Sequence, residues 1–176
     1  MSTGTLLLHV CCAPCASGVL EPLLADGWQV TALWYNPNIH PSAEHKRREK
    51  AFLGYAKTVD LPVIRPFDYD FRKYLRRIVY REQVRCMLCY RLRLERTAQL
   101  ASAGRYDAFA TTLMLSPYQD HEQLRAAGEA VSSERNVGFL YNDYRNRFQN
   151  TMESARNSGF YLQNYCGCIF SEAESR

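Results

Sequence analysis

The chain has 176 residues, 47% of them hydrophobic, and a net charge of +4, which suits one domain with a single sizeable core. No stretch approaches the ~20 consecutive apolar residues of a membrane span, and the TLLLHV run near the N-terminus is too short for an export signal. A cytoplasmic protein with no membrane partner is expected. No repeat or Pro/Gly/Ser-rich linker divides it, so residues 1–176 read as a single catalytic domain.

Thr5–Val10 predicts a first strand that stops at a group of cysteines. Cys15–Ala25 predicts a helix with Val19, Leu20, Leu23 and Leu24 on one side, closed by Asp26 and Gly27. Gln29–Tyr35 reads as a second strand, followed by the breaker-rich loop NPNIHPS. Ser42 is placed as the cap of a long charged helix reaching about Val59, with Phe52, Ala56 and Val59 at helical spacing. Leu61–Arg65 predicts a third strand. A basic helix follows around Phe71–Val79, then a helix opened by Cys86 and Cys89 that runs to about Ala103. Asp107–Leu113 is the expected fourth strand, and SPYQDHE leads into a helix from about Glu122 to Ser133. Gly138–Tyr141 predicts a weak fifth strand, and Asn146–Asn157 a last helix. This alternation specifies an α/β fold, a single-domain α/β/α sandwich with a parallel sheet. Ligands in such folds sit beyond the carboxyl ends of the strands, so the first cysteine group and SPYQD should converge there.

The seven cysteines form three groups: Cys11, Cys12 and Cys15 in HVCCAPCAS, Cys86 and Cys89 in RCMLCYRLR, and Cys166 and Cys168 in YCGCIFS. Without an export signal, such grouping points to metal or redox chemistry rather than to disulfides. Cys15 falls near a helix N-terminus, where the dipole favours thiolate. Cys86 and Cys89, three apart on a helix, share a face. Gly167 lets the backbone turn tightly about a ligand. No group supplies four ligands alone, so folding must combine them, and Cys166 and Cys168 are expected to order only with metal bound. Three chemistries stay open on the residues themselves. Structural zinc would take Cys12, Cys15, Cys86 and Cys89; an iron–sulfur cluster would take four thiolates from distant segments; a CxxC dithiol would act in redox exchange.

Ten basic residues face four acids between Arg65 and Arg96, around the second cysteine pair. Arginine suits bidentate phosphate contact, so Arg76, Arg77, Tyr90, Arg91 and Arg93 are candidate RNA contacts. A solvated helix face with scattered ion pairs is the alternative, and Arg93 has Glu95 or Glu82 as a potential partner.

Four blocks in this order, HVCCAPCAS, CMLCYRLRLERTA, TTLMLSPYQDHE and QNYCGCIFS, together resemble the QueH family of epoxyqueuosine reductases. The resemblance spans nearly the whole chain. It implies a fold of the HUP class, shared with PP-loop enzymes, and a two-electron reduction that removes the epoxide oxygen of epoxyqueuosine at the tRNA wobble position. It further implies a [4Fe-4S] cluster, a second mononuclear iron beside it, no cobalamin, and an external electron donor of ferredoxin or flavodoxin type. All seven cysteines then become metal ligands. The expected division puts Cys11, Cys12, Cys86 and Cys89 on the cluster and Cys15, Cys166 and Cys168 near the second metal. Asp143, in YNDYR, is the favoured carboxylate ligand or proton donor, with Asp120 as fallback unless it caps a helix. His9 and Tyr118 are the other proton-donor candidates; the alternatives are a packed structural role for His9 and stacking on the substrate base for Tyr118. Two rivals are a HUP-class iron–sulfur sulfonucleotide reductase and a zinc-stabilised RNA-binding module. A PP-loop ATPase is disfavoured, because CCAPC stands where its phosphate loop would be.

Overall fold

The computed structural model describes residues 3–66 and 69–175. Five strands, β1 (Gly4–Val10), β2 (Trp28–Trp34), β3 (Val63–Ile64), β4 (Ala108–Thr111) and β5 (Gly138–Phe139), form one sheet in the order β3-β2-β1-β4-β5, every pair parallel. The helices are α1 (Ala13–Ala25), α2 (Ser42–Thr58), α3 (Phe71–Ile78), α4 (Arg85–Ala103), α5 (His121–Arg135), α6 (Phe148–Asn157) and α7 (Ile169–Glu174). Helices α1, α2 and α6 pack together, and α4 packs on α5, which gives the expected α/β/α layering. Central β1 carries no polar alternation: Leu6, Leu7, Leu8 and Val10 are all fully buried, as a strand covered on both faces requires. Gly18 sets the approach of α6 to α1, since a side chain there would sit 2.6 Å from Thr151 Oγ1.

Four boundaries depart from the sequence reading. Pro41, not Ser42, occupies the position before α2, and no side chain caps that helix. The third strand shrinks to two residues because Pro62 lacks an N–H and its carbonyl accepts from Ala32 N at 2.8 Å. The fourth ends at Thr111, whose hydroxyl accepts from the Leu113 amide at 3.3 Å and starts a 3-10 turn over Thr112–Leu115. TTLML is buried and apolar in either conformation, so periodicity does not separate strand from turn there. The fifth strand covers only Gly138 and Phe139.

In this strand order the chain leaves β1 toward one side of the sheet and β4 toward the other. The crevice between their carboxyl ends is where a doubly wound fold holds its ligand. Cys11 follows β1 and Thr112 follows β4, and they meet there: the Cys11 amide donates to Thr112 Oγ1 at 3.1 Å.

Candidate metal centre

The first thiol group is compact. Sγ atoms of Cys11, Cys12 and Cys15 all lie within 4.8 Å of one another, with Cys11 and Cys12 at 3.8 Å. Cys12 and Cys15 are buried and Cys11 partly so, and no disulfide links them. Hydrogen bonds among them shift their titrations in opposite directions. Hydrogen bonds from the Cys11 and Cys15 thiols, then from the Gln163 amide (Nε2 to Sγ 3.1 Å), hold Cys12 well below the ordinary thiol range. Hydrogen bonds within the group push Cys11 up to about 11 and Cys15 well upward. Cys12, not Cys15, is the residue that opens helix α1, as its N-cap. Thr112 Oγ1 donates back to Cys11 Sγ at 3.3 Å and fixes that side chain.

The other four thiols gather apart from these. Cys86 and Cys89 lie in the first turns of α4; Cys166 and Cys168 lie in the loop before α7. Cys89 and Cys168 share a small apolar cluster with Tyr74, Ile78 and Leu92, while Cys86 and Cys166 are exposed. Burial pushes Cys89 up to about 12, with Cys166, Cys168 and Cys86 adding to the rise, so the four are close enough to feel one another's charge. Burial also raises Cys168, but the hydroxyl and amide of Ser171 outweigh it and leave that thiol below its usual range.

The C-terminal cysteines lie in a loop held by protein groups. Buried Arg48 donates to the carbonyls of Cys166 at 2.9 Å and Tyr165 at 3.0 Å, and its Nε to Glu44 at 2.7 Å. Tyr165 donates its hydroxyl to the His40 carbonyl, and the His40 amide donates to the Gly167 carbonyl at 2.7 Å. Gly167 stands at φ +146°, with Ile39 and Arg48 packed where a side chain would project.

Arg93, one helical turn after Cys89 on α4, is 1% exposed. Its Nε donates to the Cys89 carbonyl at 3.3 Å, and its Nη2 is buried without an acceptor among the described residues. The groups acting on its charge are Cys89, Cys166, Cys11 and Tyr90, none of them a carboxylate.

The loop after β4 completes the surround. Gln119 accepts from the Tyr90 hydroxyl at 3.0 Å and points its amide at Cys166 Sγ, 3.7 Å away; Tyr90 in turn accepts from the Asp120 amide at 3.1 Å. Tyr118 on this loop is 83% exposed and meets Phe148 edge-on.

Several sequence expectations are corrected by these placements. The fold groups the cysteines as three and four, not as Cys11 and Cys12 with Cys86 and Cys89. Arg93 is buried beside thiols and does not reach RNA. Arg91 pairs with Glu95 and Glu134, and Arg77 with Glu95, so both are spent in ion pairs; Arg76 is exposed. Tyr90 is buried against the loop carrying Gln119. His9 has both ring nitrogens engaged: Nε2 faces the Tyr35 carbonyl and Asn36 Oδ1, and Nδ1 meets Thr111 Oγ1 at 2.9 Å. Since the Asn36 amide already donates to the Val10 carbonyl, its Oδ1 must accept, so Nε2 carries the proton. Burial lowers this histidine to about 4, a neutral structural role. Asp143 is clamped by Arg145, lowered by it to about 2, and does not join the cysteine group. Asp120 caps α5 by accepting from Gln123. Gln119, Gln163 and Arg48 were missed, although both glutamines sit inside quoted blocks, one residue after Tyr118 and three before Cys166.

Comparison with known proteins shows the family of the chain. A family model described as Epoxyqueuosine reductase QueH matches residues 6–174. A protein named Epoxyqueuosine reductase QueH from Dehalococcoides mccartyi is 34% identical over 169 residues, spanning 96% of this chain and 93% of its own. Proteins of the same name from Haemophilus influenzae and Thermotoga maritima are 35% and 33% identical, over 97% and 98% of this chain and 72% and 93% of theirs. Among solved structures, a predicted subunit of tRNA methyltransferase from Methanocaldococcus jannaschii aligns with a TM-score of 0.54 at 14% identity, over 86% of this chain and 74% of that one, a likeness of fold.

Proposed function

Because the chain belongs to the epoxyqueuosine reductase QueH family, an oxidoreductase family, we propose that residues 1–176 act as one catalytic domain that reduces epoxyqueuosine in the wobble position of tRNA to queuosine. The balance is two electrons and two protons per turnover: both C–O bonds of the epoxide break, a C=C bond forms, and the oxygen leaves as water. The observation that carries the reading is the compact triad of Cys11, Cys12 and Cys15 at a topological switch point, with four further free thiols on α4 and the C-terminal loop near enough to act on one another's charge.

Both groups fit the metals such a reaction uses. Metal–thiolate bonds of about 2.3 Å in a tetrahedron put sulfurs about 3.8 Å apart, the spacing of Cys11 and Cys12. Three thiolates leave a fourth position free. The quartet Cys86, Cys89, Cys166 and Cys168 has the ligand number of a [4Fe-4S] cluster. On this reading the triad holds the second iron and the quartet the cluster. When bound, the cluster relays single electrons and the iron supplies Lewis acidity.

The protein's own groups prepare the site. Cys12 is held toward the thiolate, and Gln163 and Gln119 orient sulfurs from each group. Tyr118 offers an exposed ring on which a flipped-out wobble base stacks, at low cost because loop bases are unpaired. Arg76 on α3 meets the phosphate backbone. Tyr118 is the acid reachable from solvent, whereas Asp143 is held ionised by Arg145 and His9 is buried. Electrons come from a separate donor of ferredoxin or flavodoxin type. The test is incubation with epoxyqueuosine-containing tRNA and dithionite without oxygen: the reading expects queuosine in the digested tRNA without added cobalamin, and unchanged epoxyqueuosine would refute it.

A further inference from the structure

Arg93 is the one feature of the site that the reaction does not yet use. It follows Cys89 by one helical turn, on the face of α4 that carries the thiol, and its Nε reaches back to the Cys89 carbonyl. The guanidinium is therefore directed toward the N-terminal end of α4, where Cys86 and Cys89 lie. It is buried, its Nη2 lacks an acceptor among the described residues, and no carboxylate is among the groups acting on its charge. The Tyr90 ring, 6.0 Å from the guanidinium carbon, is a weak partner. A buried cation without an anion is strongly disfavoured. Neutral thiols do not relieve that; thiolates carrying a metal centre do. Cysteines of both groups act on its charge, Cys89 and Cys166 from one and Cys11 from the other.

We infer that Arg93 is the shared counter-cation of the two thiol groups, and that its charge raises the reduction potential of the centre held by Cys86, Cys89, Cys166 and Cys168. The inference rests on the cluster reading above. A four-thiolate cluster gains negative charge on reduction, and a fixed positive charge in the low-dielectric interior favours that reduced form. Arg93 acts through the thiolates and is a positioning and charge-balancing residue, not a catalytic one.

The experiment is a redox titration, followed by visible and electron paramagnetic resonance spectra, on oxygen-free wild-type holoenzyme, Arg93→Met and Arg93→Lys, each with iron and sulfide counted. The inference expects Arg93→Met to lose at least tenfold in preference for the reduced state, 59 mV for a one-electron couple, and Arg93→Lys to keep most of the wild-type potential. Should Arg93→Met not assemble the centre, a loaded lysine variant supports the inference and an equally empty one overturns it. A loaded Arg93→Met with the wild-type potential also overturns it and leaves the reductase reading intact. A wild type without sulfide removes both.

Discussion

The guanidinium of Arg48 donates to the carbonyl oxygen of Cys166 at 2.9 Å across 118 residues of sequence, and so fixes the last two cysteines against helix α2. That bond explains how a short C-terminal loop presents thiols in register with those of α4. Arg48→Met would leave two carbonyls and Glu44 without their buried donor, at a cost of about 3 kcal/mol or more. The expected result is faster alkylation of Cys166 and Cys168, by an order of magnitude in mass-spectrometric labelling, with iron lost from the quartet. Unchanged labelling would show that the loop does not depend on Arg48.

Gln163 donates to Cys12 Sγ and so favours the thiolate. Gln163→Leu removes one charge-assisted hydrogen bond while the donors Cys11 and Cys15 remain. The Cys12 titration should therefore move up by about one pH unit, or ~1.4 kcal/mol. Thiolate absorbance near 240 nm, followed against pH in metal-free protein, measures it; a downward shift or none contradicts the assignment.

His45 is buried beside Trp34, whose indole N–H donates to His45 Nε2 at 3.2 Å, and burial holds this histidine below its ordinary value of 6.5. A base with a lowered folded pKa binds fewer protons folded than unfolded, so its contribution is present above about pH 6.5 and is lost as pH falls below that. His45→Gln keeps an acceptor for the indole but does not titrate. The thermal midpoint of the variant should fall less than that of wild type between pH 7 and pH 5; parallel curves would contradict the linkage.

Phosphate contact should divide the arginines by exposure. Arg76→Gln should weaken tRNA binding several-fold and reduce the salt slope by about one, whereas Arg93→Met should leave the slope unchanged. Equal slopes for wild type and Arg76→Gln would remove α3 from the interface.

The parallel α/β layering and the placing of the first cysteines at the carboxyl end of β1 were legible because the apolar run of β1 leads straight into Cys11 and strands alternate with helices along the chain, whereas the order of the strands was not read. Nor was the division of the thiols. Cys12 with Cys15 and Cys86 with Cys89 look alike as CxxC pairs, and only the path of residues 158–168 decides which of them Cys166 and Cys168 join. Arg93 was read from its neighbours in sequence as a surface charge. Its burial follows from its position one turn after Cys89 on the covered face of α4, a relation that depends on where α7 and the loop after β4 pack. Gln119 and Gln163 carried no signal of their own, because an amide near a thiol is defined by the fold alone.

The central claim is that these thiols hold an iron–sulfur centre and a further iron. Counting iron, acid-labile sulfide and zinc in protein purified without oxygen tests it most directly. The account predicts about four sulfides and four to five irons per chain, matching four ligands for a cluster and three for a single ion, with a brown colour bleached by dithionite. One or two zinc ions with no sulfide would contradict it and leave a zinc-stabilised RNA-binding module.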